Sequence, residues 1–398
     1  MIRLCKLKVV ALAIGMSTGV VFAQSKEPVK IGVPTALTGP SGDIGAEVKK
    51  SIEFAVQEAN AKGGIDGRKV EFKILDTEIK PDIARKQAER LALEGYKILI
   101  GTISSGESLA MGPMLEKWDA IYMNTMAKSD KLTGDSCTRR MFRVNKADSQ
   151  DAAIIKPWLA TRKEMKWAVV GIDTVWGRGV GAAFKDAAKA TNRGIVSEHY
   201  TPTGTNDFAP YIRQVKDSGA QAMWVGVTGR DLVNFIKQSK QFGLLDNISA
   251  SGTNFIIPAL LNGVGEPTKG MWGIINYNAT INTPENKRFV EAWRKAHNGD
   301  DPTSYEGETY TGMQVLFQAI ERSKSIKPMD LAKVIRGGSF DTVLGKITIR
   351  AEDHQAVMPN YFGEVSMVNG KLTPVIKTVM SAEQSSPAPT GTCKMNPL

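Results

Sequence analysis

Tyr96-Lys97-Ile98-Leu99-Ile100-Gly101, followed by Thr102-Ile103-Ser104-Ser105-Gly106-Glu107, is the stretch whose reading decides the fold. The first six residues form a short apolar run of the kind needed by a parallel strand covered on both faces; the next six are small and polar, where the chain leaves the sheet. Ser104 and Glu107 have the spacing of a capping box, so a helix is expected over about 108–117. Such a cap leaves the Ser105 hydroxyl and neighbouring amides at the strand ends, where an anion is favoured; the alternative is that Ser104 and Ser105 cap a helix and do nothing more. A second strand, 120–124, and a second polar loop, 125–130, follow. Two adjacent loops then face one crevice, the place where open α/β sheets bind ligands.

Working outward, the N-terminal side reads as strand 29–34, loop 35–42, helix 44–61, the turn Gly63-Gly64-Ile65-Asp66-Gly67, a strand with Val70, Phe72 and Ile74 alternating, and a helix opened by Pro81-Asp82. This β-α-β-α-β order belongs to a parallel sheet with right-handed crossovers. After Met141-Phe142-Arg143-Val144 the pattern restarts, with strands at 167–172, 194–199 and 222–227 and helices at 151–160, 180–190 and 232–241. Beyond Gly270, helices at 286–297, 310–322 and 331–335 suit a return to the first unit, and 342–349 and 361–368 read as strands with Asn369-Gly370 as a turn. The fold class is therefore α/β.

The first residues carry Arg3, Lys6 and Lys8, an apolar run from Val9 to Val21, and Val21-Phe22-Ala23 before Gln24, the form of a secretory signal peptide over 1–23. Cys5 precedes the apolar run and so is not placed to carry a lipid. The mature protein would be soluble and exported to the periplasm, with 375 residues, enough for two α/β domains. Removing the three basic residues of that segment leaves 48 Lys and Arg against 41 Asp and Glu, a modest excess scattered among acids without aromatic interleaving. Nucleic acid is not an expected partner. Two cysteines remain, Cys137 and Cys393, and export favours a disulfide that ties the tail, 381–398, to the first lobe; two free thiols are the alternative.

Pro34-Thr35-Ala36-Leu37-Thr38-Gly39, the 63–67 turn, 101–105, 173–177, Asp207-Phe208 and Asp353-His354 stand in an order that resembles the leucine/isoleucine/valine-binding family, the solute-binding proteins of bacterial ABC importers with the type I periplasmic binding protein fold. The resemblance covers nearly the whole mature chain. It implies two doubly wound parallel-sheet lobes, 24–143 with 278–346 and 144–277 with 347–380, joined by three hinge segments near Phe142, Ile275 and Lys346, with a ligand in the interlobe cleft. It implies a monomer that delivers its ligand to a membrane permease, with no cofactor, no metal and no catalysis.

Carried residue by residue, the resemblance places Ser104, Ser105 and the loop Met126, Ala127, Lys128 at a ligand carboxylate, Trp176 at an aromatic wall and Thr228 at a strand-end contact, with Asn254 as a further candidate. Ile44 stands where amino-acid binders often have an aromatic residue. No carboxylate occurs over 249–262, where those binders hold the ligand ammonium; if the ligand has an amine, Asp173 beside Trp176 is the nearest acid by sequence. The expected solute is a small carboxylate, an apolar amino acid by family default or an aromatic or other organic acid. Presenting a ligand to a membrane sensor would use the same fold.

Two enzyme readings compete. Gly177-x-Gly179-x-x-Ala182 with Glu198 matches a dinucleotide pattern, but four residues separate Ile172 from the first glycine, and an exported protein meets little NAD. Thr102-Ile103-Ser104-Ser105-Gly106 approaches a nucleophile elbow with Thr102 in place of its first glycine. None of His199, His297 and His354 stands in a triad context, and no metal-ligand spacing is present.

Overall fold

The computed structural model describes residues 26–395. The expected signal peptide lies outside them. Strand β1 (Val29–Thr35), helix α1 (Gly42–Ala61), β2 (Val70–Asp76), α2 (Pro81–Leu93), β3 (Ile98–Gly101), α3 (Ser105–Met111), β4 (Ile121–Asn124) and β5 (Met141–Arg143) form a five-stranded parallel sheet in the order β2-β1-β3-β4-β5. Its central strands are wholly buried apolar runs, as a sheet covered on both faces requires. The second lobe contains α4 (Asp148–Ala160), β6 (Lys166–Ile172), α5 (Val175–Ala190), β7 (Gly194–Thr201), α6 (Ala209–Asp217), β8 (Ala222–Gly226), α7 (Gly229–Gln241), β9 (Ser249–Gly252), α8 (Pro258–Val264) and β10 (Trp272–Ile275). The chain then returns through α9 (Pro284–Ala296), α10 (Ser304–Ser323) and α11 (Pro328–Ile335) to pack on the first lobe: Phe54 of α1 meets Phe289, Trp293 and Tyr310.

The remaining strands are β11 (Ser339–Thr342), β12 (Gly345–Ile349), β13 (Ala356–Val357), β14 (Asn360–Val368) and β15 (Lys371–Met380), before a short α12 (Ala382–Ser385). The stretch 342–349 is not one strand. Gly345 at φ +96° turns the chain between β11 and β12, which pair antiparallel. Lys346 therefore lies inside a small sheet held to α10 by Gln318 and Arg322, and the third crossing falls at 358–359, between β13 and β14. This corrects the expected boundary at 346.

In the seven-stranded second sheet, ordered β15-β14-β10-β9-β8-β6-β7, strands β6 to β10 are mutually parallel, and the β10–β14 and β14–β15 pairs are antiparallel. Its core is aromatic, with Phe184 and Trp224 stacked at 4.8 Å and Trp158 packed on Phe362. Burying each such ring contributes about 1.5–3 kcal/mol.

Arg143, wholly buried, binds the crossings together. Its guanidinium donates to the Ser129 carbonyl and the Thr133 hydroxyl, each at 2.6 Å, and to the side chain of Gln355 beside the third crossing. Cys137 and Cys393 are joined, with Cα atoms 5.5 Å apart. Among the described residues, no helix is long and apolar enough to cross a membrane.

Candidate ligand-binding site

Loops at the C-terminal ends of β1, β3, β4, β6, β8 and β9 converge on a cavity between the lobes with about 740 Å³ of empty space, part of it open to solvent. The first lobe supplies Ser41, Ile44, Ile79, Ile103, Ser104 and Met126; the second supplies Ile172, Thr174, Trp176, Thr228, Asp231 and Asn254, and α10 adds Tyr305 and Glu308. The lobes touch around it: Arg230 donates to the Gly39 carbonyl at 2.7 Å, and the Thr228 and Tyr305 hydroxyls are 3.2 Å apart.

Local hydrogen bonds hold each wall. Ser104 caps α3 as its spacing predicts, accepting from the Gly106 amide while its own amide donates to Glu107. Tyr122 anchors the preceding turn by accepting the Thr102 amide at 2.6 Å. On the opposite side, the Thr174 hydroxyl accepts the Gly177 amide at the start of α5, and Asp231 accepts the Gly204 amide at 2.8 Å, fixing the loop that brings Thr203 to the wall.

Of the candidates from sequence, Ser104, Met126, Trp176, Thr228 and Asn254 are brought together on this wall. Ser105, Ala127, Lys128 and Asp173 are not. Ser105 is fully buried and its hydroxyl accepts the Ser129 amide at 3.2 Å. The Met126 and Ala127 amides are both taken by Asn124 Oδ1. Lys128 is buried behind the wall, its ammonium 2.6 Å from Asp151 and 2.8 Å from Asn276. Asp173 requires correction as an amine partner: its side chain is 46% exposed, paired at 2.6 Å with Arg178, and lies on the broad groove outside the cavity.

Tyr305 and Glu308 were missed from sequence because α10 was expected to begin near Tyr310. It begins at Ser304, and Thr303 with Glu306 form the capping box that marks the start. That signal stands in the sequence. The two residues are three apart, hence on one helical face.

Behind the cavity, Lys128, Lys146 and Asp151 form, with Glu308 of the wall, a buried charged cluster at the crossings. Lys146 donates to the Ile275 carbonyl at 3.0 Å and more weakly to that of Asn276. Burial, reinforced by Lys128, pushes the Lys146 ammonium below the usual lysine range. Burial likewise pushes the Glu308 carboxyl up, with Lys128 and Lys146 opposing the shift.

The glycines of the dinucleotide-like pattern are explained by packing. A Cβ on Gly177 would come within 2.0 Å of the Ile172 carbonyl oxygen, and one on Gly179 within 2.6 Å of the Asp148 carboxylate. Glu198 is bonded to Lys185 and to the Tyr200 hydroxyl.

Two α/β lobes closing on a cavity lined by both define a solute-binding protein of the cleft type. Residues 28–371 match the family described as periplasmic binding protein, and the chain belongs to that family. Curated relatives include Leu/Ile/Val-binding protein homolog 8 of Brucella abortus, 29% identical over 82% of this chain and 85% of its own, and homolog 2 from the same organism, 25% identical over 83% and 88%. A solute-binding protein of an ABC transporter from Rhodopseudomonas palustris BisB5, solved with 3,4-dihydroxybenzoic acid, superposes with a TM-score of 0.82 at 24% identity, covering 89% of this chain and 98% of that one. A leucine-, isoleucine-, valine-, threonine- and alanine-binding protein from Brucella ovis, in a closed conformation, gives 0.81 at 21% identity over 93% and 100%.

Proposed function

We propose that the protein is the periplasmic solute-binding component of an ABC importer and that its solute is a small carboxylate. The observation that carries this reading is the indole of Trp176, whose Nε1–H is buried without an acceptor in the protein while the residue lines the interlobe cavity. A buried donor is normally satisfied, and a ligand oxygen would satisfy this one. Ser41, Ser104 and Thr174 add hydroxyls nearby, and Ile44, Ile79, Ile103 and Ile172 suit an apolar body. An apolar amino acid of the branched-chain type fits this lining. An aromatic acid without an amine is the second reading, favoured by the benzoic-acid ligand of the BisB5 neighbour. Membership of the family supports delivery to a membrane permease, and we read the protein as acting as a monomer.

A thermal-shift screen against amino acids and hydroxybenzoates tests the reading. A ligand at a hundred times its Kd adds about 2.7 kcal/mol to native stability, so a true ligand raises Tm clearly. A flat response across both classes would contradict it. Trp176→Phe, which keeps the ring and removes the donor, is expected to weaken the identified ligand by about 1.5–3 kcal/mol in calorimetry, as for a lost hydrogen bond to a charged group. Unchanged affinity would remove Trp176 from the carboxylate's partners.

A further inference from the structure

We propose that the turn Gly39–Ser41 of the first lobe and the start of α7 in the second form a latch that holds the cleft shut by protein contacts alone, so that Gly229 and Arg230 set how tightly a solute is retained without touching it. For its affinities, though not for its effect on shape, the latch rests on the solute-binding reading above.

Pro40 is the projecting half. It is seated between two glycines of the second lobe: a Cβ on Gly229 would lie 2.7 Å from the Pro40 carbonyl oxygen, and one on Gly204 would lie 3.9 Å from its Cγ. Both glycines have positive φ, +62° and +83°, a conformation that keeps the backbone bare where another chain segment comes close. Asp231 ties the two sides of this socket together by accepting the Gly204 amide at 2.8 Å. Arg230 closes over the rim, its guanidinium donating to the Gly39 carbonyl at 2.7 Å. The facing turn is equally fixed: Asp76 at the end of β2 accepts the Leu37 amide at 2.8 Å and the Thr38 hydroxyl at 2.6 Å. Contacts between parts held in advance cost little ordering entropy when they form.

None of Gly204, Gly229 and Arg230 lines the cavity, whereas their neighbours Thr203, Thr228 and Asp231 do. The latch therefore forms when the lobes meet, whichever solute lies between them, and shifts the open–closed equilibrium by its own free energy. Apparent affinity scales with the closed fraction, so every solute gains by the same factor. Because the contacts exist only after closure, the gain is in retention, as a slower koff, rather than in kon.

Two variants separate the latch from the cavity. Arg230→Ala removes one hydrogen bond made by an exposed side chain. Gly229→Asn keeps φ > 0 accessible, since Asn adopts that region more readily than most side chains, but sets a Cβ against Pro40 once the lobes meet. Small-angle scattering of the oxidised mature protein without solute is expected to give a larger radius of gyration for both variants than for wild type. Calorimetry and stopped-flow kinetics with L-leucine, L-phenylalanine and 4-hydroxybenzoate are expected to show each solute that wild type binds weakened about 3- to 10-fold by Arg230→Ala, the scale of one hydrogen bond, and more by Gly229→Asn. Within each variant the factor should be common to all bound solutes and carried by koff. Equal radii in the three proteins would overturn the latch whether or not a solute binds. So would a changed ratio between solutes, or unchanged affinity in both variants. Failure of every solute to bind, with the radii separated as expected, would remove the solute-binding reading and leave the latch standing.

Discussion

Replacing Lys128 by Met is expected to lower the unfolding free energy by about 3–5 kcal/mol, the range for removing one partner of a buried ion pair. The side chains of Lys128 and Asp151 are 0% and 3% exposed, and their charged atoms are 2.6 Å apart. Without the ammonium, Asp151 keeps a weak contact from Asn360 at 3.4 Å and no cation within salt-bridge distance, and Asn276 loses a donor. Urea unfolding at unchanged m-value measures the loss. Combining Lys128→Met with Asp151→Leu should recover much of it, because the stranded charge is then gone. A loss below about 1 kcal/mol in the single variant would mean that the pair is exposed to water in solution, contrary to the geometry.

Lys128 also shows where sequence reasoning about the site stops. Its position in the loop after β4 was legible, because an apolar run followed by a polar loop is a local pattern. Its partners were not, since Asp151 belongs to α4 of the other lobe and Asn276 to the second crossing, 148 residues away. Ser104 was placed correctly as a cap for the opposite reason: both halves of its capping box lie within four residues. Asp173 and Glu308 make the same contrast among acids. Asp173 is next to Trp176 in sequence yet turns to Arg178 in solvent, while Glu308, remote in sequence, is carried to the wall by the packing of α10 on α1.

The fold itself was largely readable because alternating strands and helices leave few arrangements for a parallel sheet. The departures have local causes. Strand β15, which was not read from the sequence, contains Pro374; as an edge strand paired on one side to β14 it tolerates the missing amide hydrogen, and the Pro374 carbonyl accepts from Asn278. The third crossing was misplaced because 345–349 has the apolar alternation of a sheet strand, and nothing in that pattern says that its partner is the short β11.

Removing the disulfide, by reduction or as Cys137→Ser with Cys393→Ser, is expected to cost about 2–5 kcal/mol of stability. The bridge joins residues 256 apart, so it closes a very long loop, and chain entropy places the effect towards the upper end of that range. Its position adds to this. The tail leaves β15 in the second lobe, is held by Ser385 on the Met358 carbonyl at 2.6 Å, by Ser386 beneath Gln150 of α4, and by Arg350 on the Pro387 carbonyl, and then reaches Cys137 beyond β4 in the first lobe. The bridge is therefore a fourth covalent connection between the lobes, on the side of the hinge crossings, where it can persist while the cleft on the other side opens. The oxidised mature protein should show no titratable thiol in denaturant, and its urea midpoint should fall on reduction. Two titratable thiols, or a midpoint that reduction leaves in place, would contradict a stabilising bridge between tail and first lobe.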